Sequence, residues 1–142
     1  MSRVSIYLNF QGQTEEAFEF YAQIFGSQVT ALSRFGEMPS GPDAPPISPE
    51  DLNKIVHAEV EILNGFILMG TDMLESMGHH VRIGNNTTIN LESDSIDDAQ
   101  RLYDALSVDS TENAPLMQMF WGAWWGVCLD KYGIRWMFNA PA

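Results

Sequence analysis

The opening residues alternate. Val4, Ile6, Leu8 and Phe10 fall on one side of an extended chain, and Ser5, Tyr7, Asn9 and Gln11 on the other. Successive side chains of a strand point to opposite faces, so residues 4–11 read as a half-buried strand. Gly12 ends it. Thr14 is then placed to N-cap a helix whose first turn carries Glu15 and Glu16, where carboxylates meet the positive end of the helix dipole. Ala17, Phe20, Tyr21 and Ile24 supply the expected apolar stripe, and Gly26 suits a left-handed stop. A second strand is expected near residues 28–35.

Pro39, Pro42, Pro45, Pro46 and Pro49 crowd residues 38–50 and lack the amide proton regular structure needs, which predicts a long loop. In a small domain such a loop is a lid, a dimer contact or a mobile segment. Alternation returns over residues 55–63, where Val56, Ala58, Val60 and Ile62 oppose His57, Glu59 and Glu61. Asn64-Gly65 is a dipeptide favoured in two-residue hairpins, so a fourth strand over residues 66–71 should fold back on the third. Residues 73–85 form a polar connector.

The pattern then repeats. Glu15-Glu16-Ala17-Phe18-Glu19-Phe20-Tyr21 returns as Asp97-Asp98-Ala99-Gln100-Arg101-Leu102-Tyr103, and Asn64-Gly65-Phe66-Ile67-Leu68-Met69 as Tyr132-Gly133-Ile134-Arg135-Trp136-Met137. A strand is expected over 87–92. Ser95-Ile96-Asp97-Asp98 has the spacing of a capping box and opens the second helix. Further strands are expected near 116–121, 125–129 and 134–139, with Lys131-Tyr132-Gly133 as the last turn. The fold class is therefore α+β: two tandem βαβββ modules in a single domain, forming a curved mixed sheet around a cleft. Module 1 is about 1–74, the connector about 75–85 and module 2 about 86–142.

Composition narrows the function. Of the 142 residues, 45% are hydrophobic, enough for a packed core. A net charge of −12 with seven Lys and Arg leaves nothing to neutralise phosphates, which argues against nucleic acid as partner. The acidity serves solubility first, with a cationic ligand as the other reading. No apolar run approaches the ~18–20 residues of a membrane span, and no leader pattern precedes the first strand, so a soluble cytoplasmic protein is expected. Cys128 is the single cysteine, which excludes an internal disulfide and fits a reducing compartment. Set in an apolar strand, it reads as a buried, inert thiol.

The module pattern resembles the vicinal-oxygen-chelate superfamily of glyoxalases, type I extradiol dioxygenases and bleomycin- and fosfomycin-resistance proteins, and within it the PhnB-like branch. The residues that carry the resemblance begin with Tyr7-Leu8-Asn9-Phe10-Gln11-Gly12 and run through Glu16-Ala17-Phe18-Glu19-Phe20-Tyr21 to Phe25-Gly26. Next come Phe35-Gly36-Glu37-Met38-Pro39, Val56-His57-Ala58-Glu59 and Leu68-Met69-Gly70-Thr71-Asp72. The most specific stretch is Phe120-Trp121-Gly122-Ala123 followed by Asp130-Lys131-Tyr132-Gly133-Ile134-Arg135-Trp136-Met137. The resemblance spans nearly the whole chain and implies the fold more strongly than any reaction. Some members of the branch carry a demethylubiquinone methyltransferase label, yet no Gly-rich dinucleotide or S-adenosylmethionine loop is present.

Metal-using members of the superfamily place His, Glu or Gln ligands on the first and last strands of each module, where a divalent ion polarises substrate oxygens. The matching positions here are Ile6 (or Ser5), the stretch Phe66 to Gly70, Asn86 or Thr88, and Met137. None matches that pattern, so neither a metal site nor another cofactor is expected.

Other residues are candidates for a site. His57 and Glu59 share a strand face and would face the cleft if the apolar side packs on a helix; the alternative is a solvated face. Tyr7 and Asn9 share the polar face of the first strand and suit ligand hydrogen bonds. Trp121, with Trp124 and Trp125, forms an aromatic cluster that serves as core, interface or stacking platform. Arg135 can anchor an anionic group or pair with an acid. The adjacent His79 and His80 point apart and chelate poorly, and Asp72 reads as a turn cap. The expected function is binding of a small organic molecule in the cleft without a superfamily-type metal, by a homodimer. The alternative is a glyoxalase- or dioxygenase-type enzyme, either metal-dependent or using His57 and Glu59 as base and acid.

Overall fold

Two compact units divide the chain, Met1–Val81 and Arg82–Ala142. The computed structural model describes residues 1–39, 41–44 and 46–142; Ser40 and Pro45, in the proline-rich segment, lie outside the described residues. The first unit runs β1 (Ile6–Phe10), α1 (Thr14–Phe25), β2 (Val29–Arg34), β3 (Ile55–Glu61) and β4 (Ile67–Asp72). The second runs β5 (Ile89–Glu92), α2 (Ile96–Leu106), β6 (Thr111–Gln118), β7 (Trp124–Leu129) and β8 (Arg135–Ala140). Each builds a four-stranded mixed sheet, in the orders β1-β4-β3-β2 and β5-β8-β7-β6. The α+β class and the βαβββ repeat are as expected. In each sheet the first and last strands of the module pair in parallel, and the other pairings are antiparallel.

Alternation decides which face of the first sheet meets α1. Leu8, Phe10, Ala58, Val60 and Leu68 are buried, as are Ala17, Phe18, Tyr21 and Ala22 of the helix. A Cβ added at Gly70 would stand 2.7 Å from Phe18 Cζ, so the helix lies on the sheet where β4 has no side chain. The Phe18 ring also meets Phe10 edge-on at 6.1 Å. The helix stripe is therefore Thr14, Ala17, Phe18, Tyr21 and Ala22. Phe20 is only half-buried, which corrects its expected core role: at 3.6 residues per turn it sits off the line through Thr14, Ala17 and Tyr21.

The start of α1 also differs from expectation. Gln13 is the cap residue and offers no side-chain cap. Thr14 lies inside the helix, fully buried, and gives both its N–H (3.0 Å) and its hydroxyl (2.7 Å) to Asp72 Oδ1. The other oxygen, Oδ2, accepts the Ile55 N–H at 2.8 Å. Asp72 thus caps α1 and fixes the start of β3 at once. Gly26 closes the helix at φ 66°, as expected. Asn64 and Gly65 both take positive φ, 55° and 77°, and close the β3–β4 turn with Ile62 N–H donating to Phe66 O at 2.8 Å.

In the second unit the Ser95 hydroxyl accepts the Asp98 N–H at 3.1 Å, the N-cap bond of the capping box read from the sequence. Trp136 and Phe138 are fully buried, with Tyr103 meeting Phe138 edge-on at 5.3 Å. Trp136 Nε1–H donates to buried Asp130 at 2.8 Å, and Asp130 also accepts the Tyr132 and Ile134 amides of the last turn. β6 begins at Thr111, well before the expected residue 116; its first residues are polar and Pro115 follows mid-strand. Proline is tolerated there because β6 is an edge strand. The duplication extends to irregularities. β2 shifts register between Thr30 and Ser33, with Ala31 at φ 52°, and β6 between Thr111 and Ala114, with Glu112 at φ 50°. Among the described residues no helix is long and apolar enough to cross a membrane.

Candidate functional site

The face of the first sheet opposite α1 gathers the polar residues. β1 pairs with β4 and β4 with β3, so Tyr7, Met69 and Glu59 stand in one row across three strands. Thr30 continues the row on β2, and Ser33 lies opposite His57. Side chains two apart on a strand share a face, which brings His57 beside Glu59. Tyr7 Oη lies 3.0 Å from His57 Nδ1, and His57 Nε2 lies 2.9 Å from Glu59 Oε2. The Tyr7 and His57 rings are 5.7 Å apart and tilted by 43°. Tyr7 is 47% exposed, while the side chains of His57 and Glu59 retain 32% and 24% exposure.

This chain of bonds has a direction. A carboxylate only accepts, so Nε2 carries the imidazole proton and donates it to Glu59. With the ring neutral, Nδ1 is bare and accepts from the Tyr7 hydroxyl; with the ring charged, Nδ1–H would donate to it instead. Burial, and then the negative charge of Glu59, hold the Tyr7 phenol above its usual range, so Tyr7 stays a neutral hydroxyl. A hydroxyl on an imidazole that a carboxylate orients is an arrangement able to accept and pass on a proton.

The remaining candidates fall elsewhere. Asn9 is exposed on the same face of β1, level with Thr71 rather than with the Tyr7 row. Trp121 is in the second unit, in the turn between β6 and β7, 57% exposed, with its ring edge-on to Phe120 at 4.7 Å. Trp124 and Trp125 are consecutive in β7 and leave opposite faces, so the three tryptophans do not share one surface. Arg135 donates to Glu112 Oε2 at 2.7 Å and to Gly84 O at 3.3 Å within its own unit. His80 stands 3.7 Å from Glu75 in an exposed pair. Cys128 is fully buried, with its thiol pushed up to about 12 by burial and the charge of Asp130.

Met69, between Tyr7 and Glu59, was not singled out in the sequence. A two-residue Asn64-Gly65 hairpin would set Met69 opposite Val60; the loop is instead three residues, Leu63–Gly65, and that one-residue shift brings Met69 opposite Glu59. The parallel β1–β4 pairing has no comparable mark.

The divalent metal that the superfamily implies is a poor match to these residues. Ser5 donates its hydroxyl to the Met69 sulfur at 3.7 Å, and Ile6 pairs with Leu68. Met137 occupies the last-strand position of the second unit beside Asn90. Thioether, hydroxyl and amide groups are not the imidazole and carboxylate set a catalytic divalent ion takes. Among the described residues no three His, Cys, Asp or Glu side chains converge.

A family model described as 3-demethylubiquinone-9 3-methyltransferase matches residues 2–138. The chain belongs to that family. Protein YjdN of Escherichia coli (strain K12) is 28% identical over 141 residues, spanning 96% of this chain and 93% of its own. The crystal structure of PA1353 from Pseudomonas aeruginosa is 30% identical, with a TM-score of 0.83 over 99% of this chain and 98% of that one. The PhnB protein of Bacillus cereus, at 22% identity, gives a TM-score of 0.77 over 98% and 99% of the two chains. A glyoxylase/bleomycin resistance protein/dioxygenase domain from Frankia sp. EAN1pec gives 0.66 at 13% identity, over 100% and 99%. PhnB-like membership and the glyoxalase-type fold stand on these matches. The methyl transfer in the family's description stays with that description: the β1–α1 turn, Gln11-Gly12-Gln13, has one glycine and no phosphate-cradling loop.

Proposed function

We propose that the chain binds a small organic molecule on the open face of the first sheet, against Tyr7, His57 and Glu59, with no superfamily-type metal. The observation that carries this is the Tyr7–His57–Glu59 chain of hydrogen bonds, three part-exposed polar side chains oriented by one another. Groups that merely solvate a strand face have no need of such mutual orientation. Ile67 and Met69, half-buried on the same face, offer apolar surface beside it. Asn9, exposed on the same face of β1, extends the proposed ligand contacts. A thermal-shift screen of a small-molecule library tests the reading. A ligand at 100 times its Kd adds about 2.7 kcal/mol to stability, and that gain should vanish in His57→Ala. A hit that stabilises His57→Ala as much as the parent contradicts it.

A second reading is favoured by the same tautomer: a metal-free enzyme in which His57, held by Glu59, receives a proton. Turnover of a hit compound, abolished in His57→Ala without loss of ligand binding by Tyr7→Phe, would favour it. We further propose a homodimer acting in the cytoplasm. Met117, Phe120 and Trp121, exposed at 55%, 96% and 57%, support association of the second unit, and sedimentation showing a concentration-independent monomer would contradict it. The single buried cysteine supports a reducing compartment.

A further inference from the structure

The sign of the binding face follows from its tautomer. In the neutral ring Glu59 accepts from His57 Nε2–H, and Nδ1 accepts from the Tyr7 hydroxyl. The exposed phenol oxygen therefore presents lone pairs outward and no proton. We propose that Tyr7 Oη recognises ligands that donate a hydrogen bond, namely amines, ammonium groups and neutral hydroxyls, and rejects carboxylates. This deepens the binding function proposed above and rests on it.

Charge points the same way. β1, β3 and β4 carry no lysine or arginine, while Glu59 and Glu61 share the odd-numbered face of β3. The one cation of β2, Arg34, is held by Glu15 through contacts of 3.1 and 2.7 Å. A carboxylate arriving at Tyr7 meets an oxygen lone pair and a nearby glutamate, with no lysine or arginine on β1, β3 or β4 to offset them. A donor meets an acceptor backed by negative charge, with the Tyr7 ring and Met69 beside it. Tyr7 is the contact residue in this arrangement; His57 and Glu59 are positioning residues that set which way its hydroxyl points.

Glu59→Gln should reverse the preference. A glutamine amide can donate to Nε2, which moves the imidazole proton to Nδ1; that proton then points at Tyr7 and frees the phenol proton to face outward. No atom of the contact residue changes.

The test uses two probes of the same ring, benzylamine and benzoate, on protein with 15N-labelled histidine. Long-range proton–nitrogen NMR spectra report the His57 tautomer and its response to each probe. The expected result is the Nε2–H tautomer in the parent and benzylamine bound about tenfold more tightly than benzoate, the ratio one unmade hydrogen bond gives. Tyr7→Phe should bring the two affinities together, and Glu59→Gln should shift the tautomer and favour benzoate. An Nδ1–H tautomer in the parent, benzoate binding as well as benzylamine, or no response to either probe would overturn the proposal. Library hits that are carboxylates yet lost in His57→Ala would leave the binding function standing and remove the donor preference alone.

Discussion

Asp72→Asn isolates the contact on which the frame of the site depends. Asp72 is 3% exposed and serves three donors: the Thr14 amide and hydroxyl on one oxygen, the Ile55 amide on the other. Asparagine keeps the shape and one acceptor oxygen, which can retain both Thr14 donors. Its NH2 then confronts the Ile55 N–H across what was a 2.8 Å hydrogen bond. One buried donor left without an acceptor costs about 1–3 kcal/mol, so a loss of about 2 kcal/mol is expected, with Asp72→Ala, which orphans all three, near 4 kcal/mol. For a chain of this size 2 kcal/mol corresponds to a Tm lower by about 7 °C. All four tryptophans lie in the second unit, so far-UV circular dichroism follows both units while tryptophan fluorescence reports the second alone. The asparagine variant should shift the circular-dichroism midpoint. A double-mutant cycle of Asp72→Ala with Thr14→Val should show coupling of about 1 kcal/mol. Asp72→Asn within about 0.5 kcal/mol of the parent, or no coupling between Asp72→Ala and Thr14→Val, would refute the reasoning.

Gly70→Ala places a methyl group 2.7 Å from Phe18 Cζ and should cost about 1–3 kcal/mol, relieved when Phe18→Leu makes room; denaturant midpoints check both. Cys128, fully buried with its thiol raised to about 12, should resist a thiol reagent at mildly alkaline pH until the protein is denatured, and rapid native reaction would contradict that placement. Burial and Glu59 raise Tyr7, and burial and Cys128 raise Tyr103, so above the ordinary phenol range the folded chain holds protons that the unfolded chain has released. Their contribution to stability is therefore complete below about pH 10 and declines as pH rises through the folded values; phenolate absorbance and alkaline denaturation should move together, and phenol titration at the free-tyrosine value would contradict the shift.

Local chemistry was legible in the sequence wherever the decisive partner lay close in the chain. Gly26, the Asn64-Gly65 turn and the Ser95–Asp98 cap were read correctly because each is completed within a few residues. Thr14 was misread as a cap because its acceptor, Asp72, sits at the end of the module, and no spacing rule links the two. The start of β6 was not legible because its first residues are polar and Pro115 is compatible with a strand only at an edge, which the topology alone reveals. The alternation of β3 did place His57 and Glu59 on one face. Their link to Tyr7 depends on a parallel pairing of β1 with β4 that only the folded topology supplies. The three tryptophans grouped by sequence are separated by strand alternation and by a turn.

Calorimetric titration of a screened ligand into the parent protein, His57→Gln and Tyr7→Phe tests the central claim most directly. Both side chains are part-exposed and outside the core, so the unliganded variants should melt close to the parent. Binding should weaken by tenfold or more in each, the loss of about 1.4 kcal/mol that one contact in an oriented chain supplies. Affinity unchanged in both variants would mean that the ligand sits elsewhere and that the Tyr7–His57–Glu59 face is not the site.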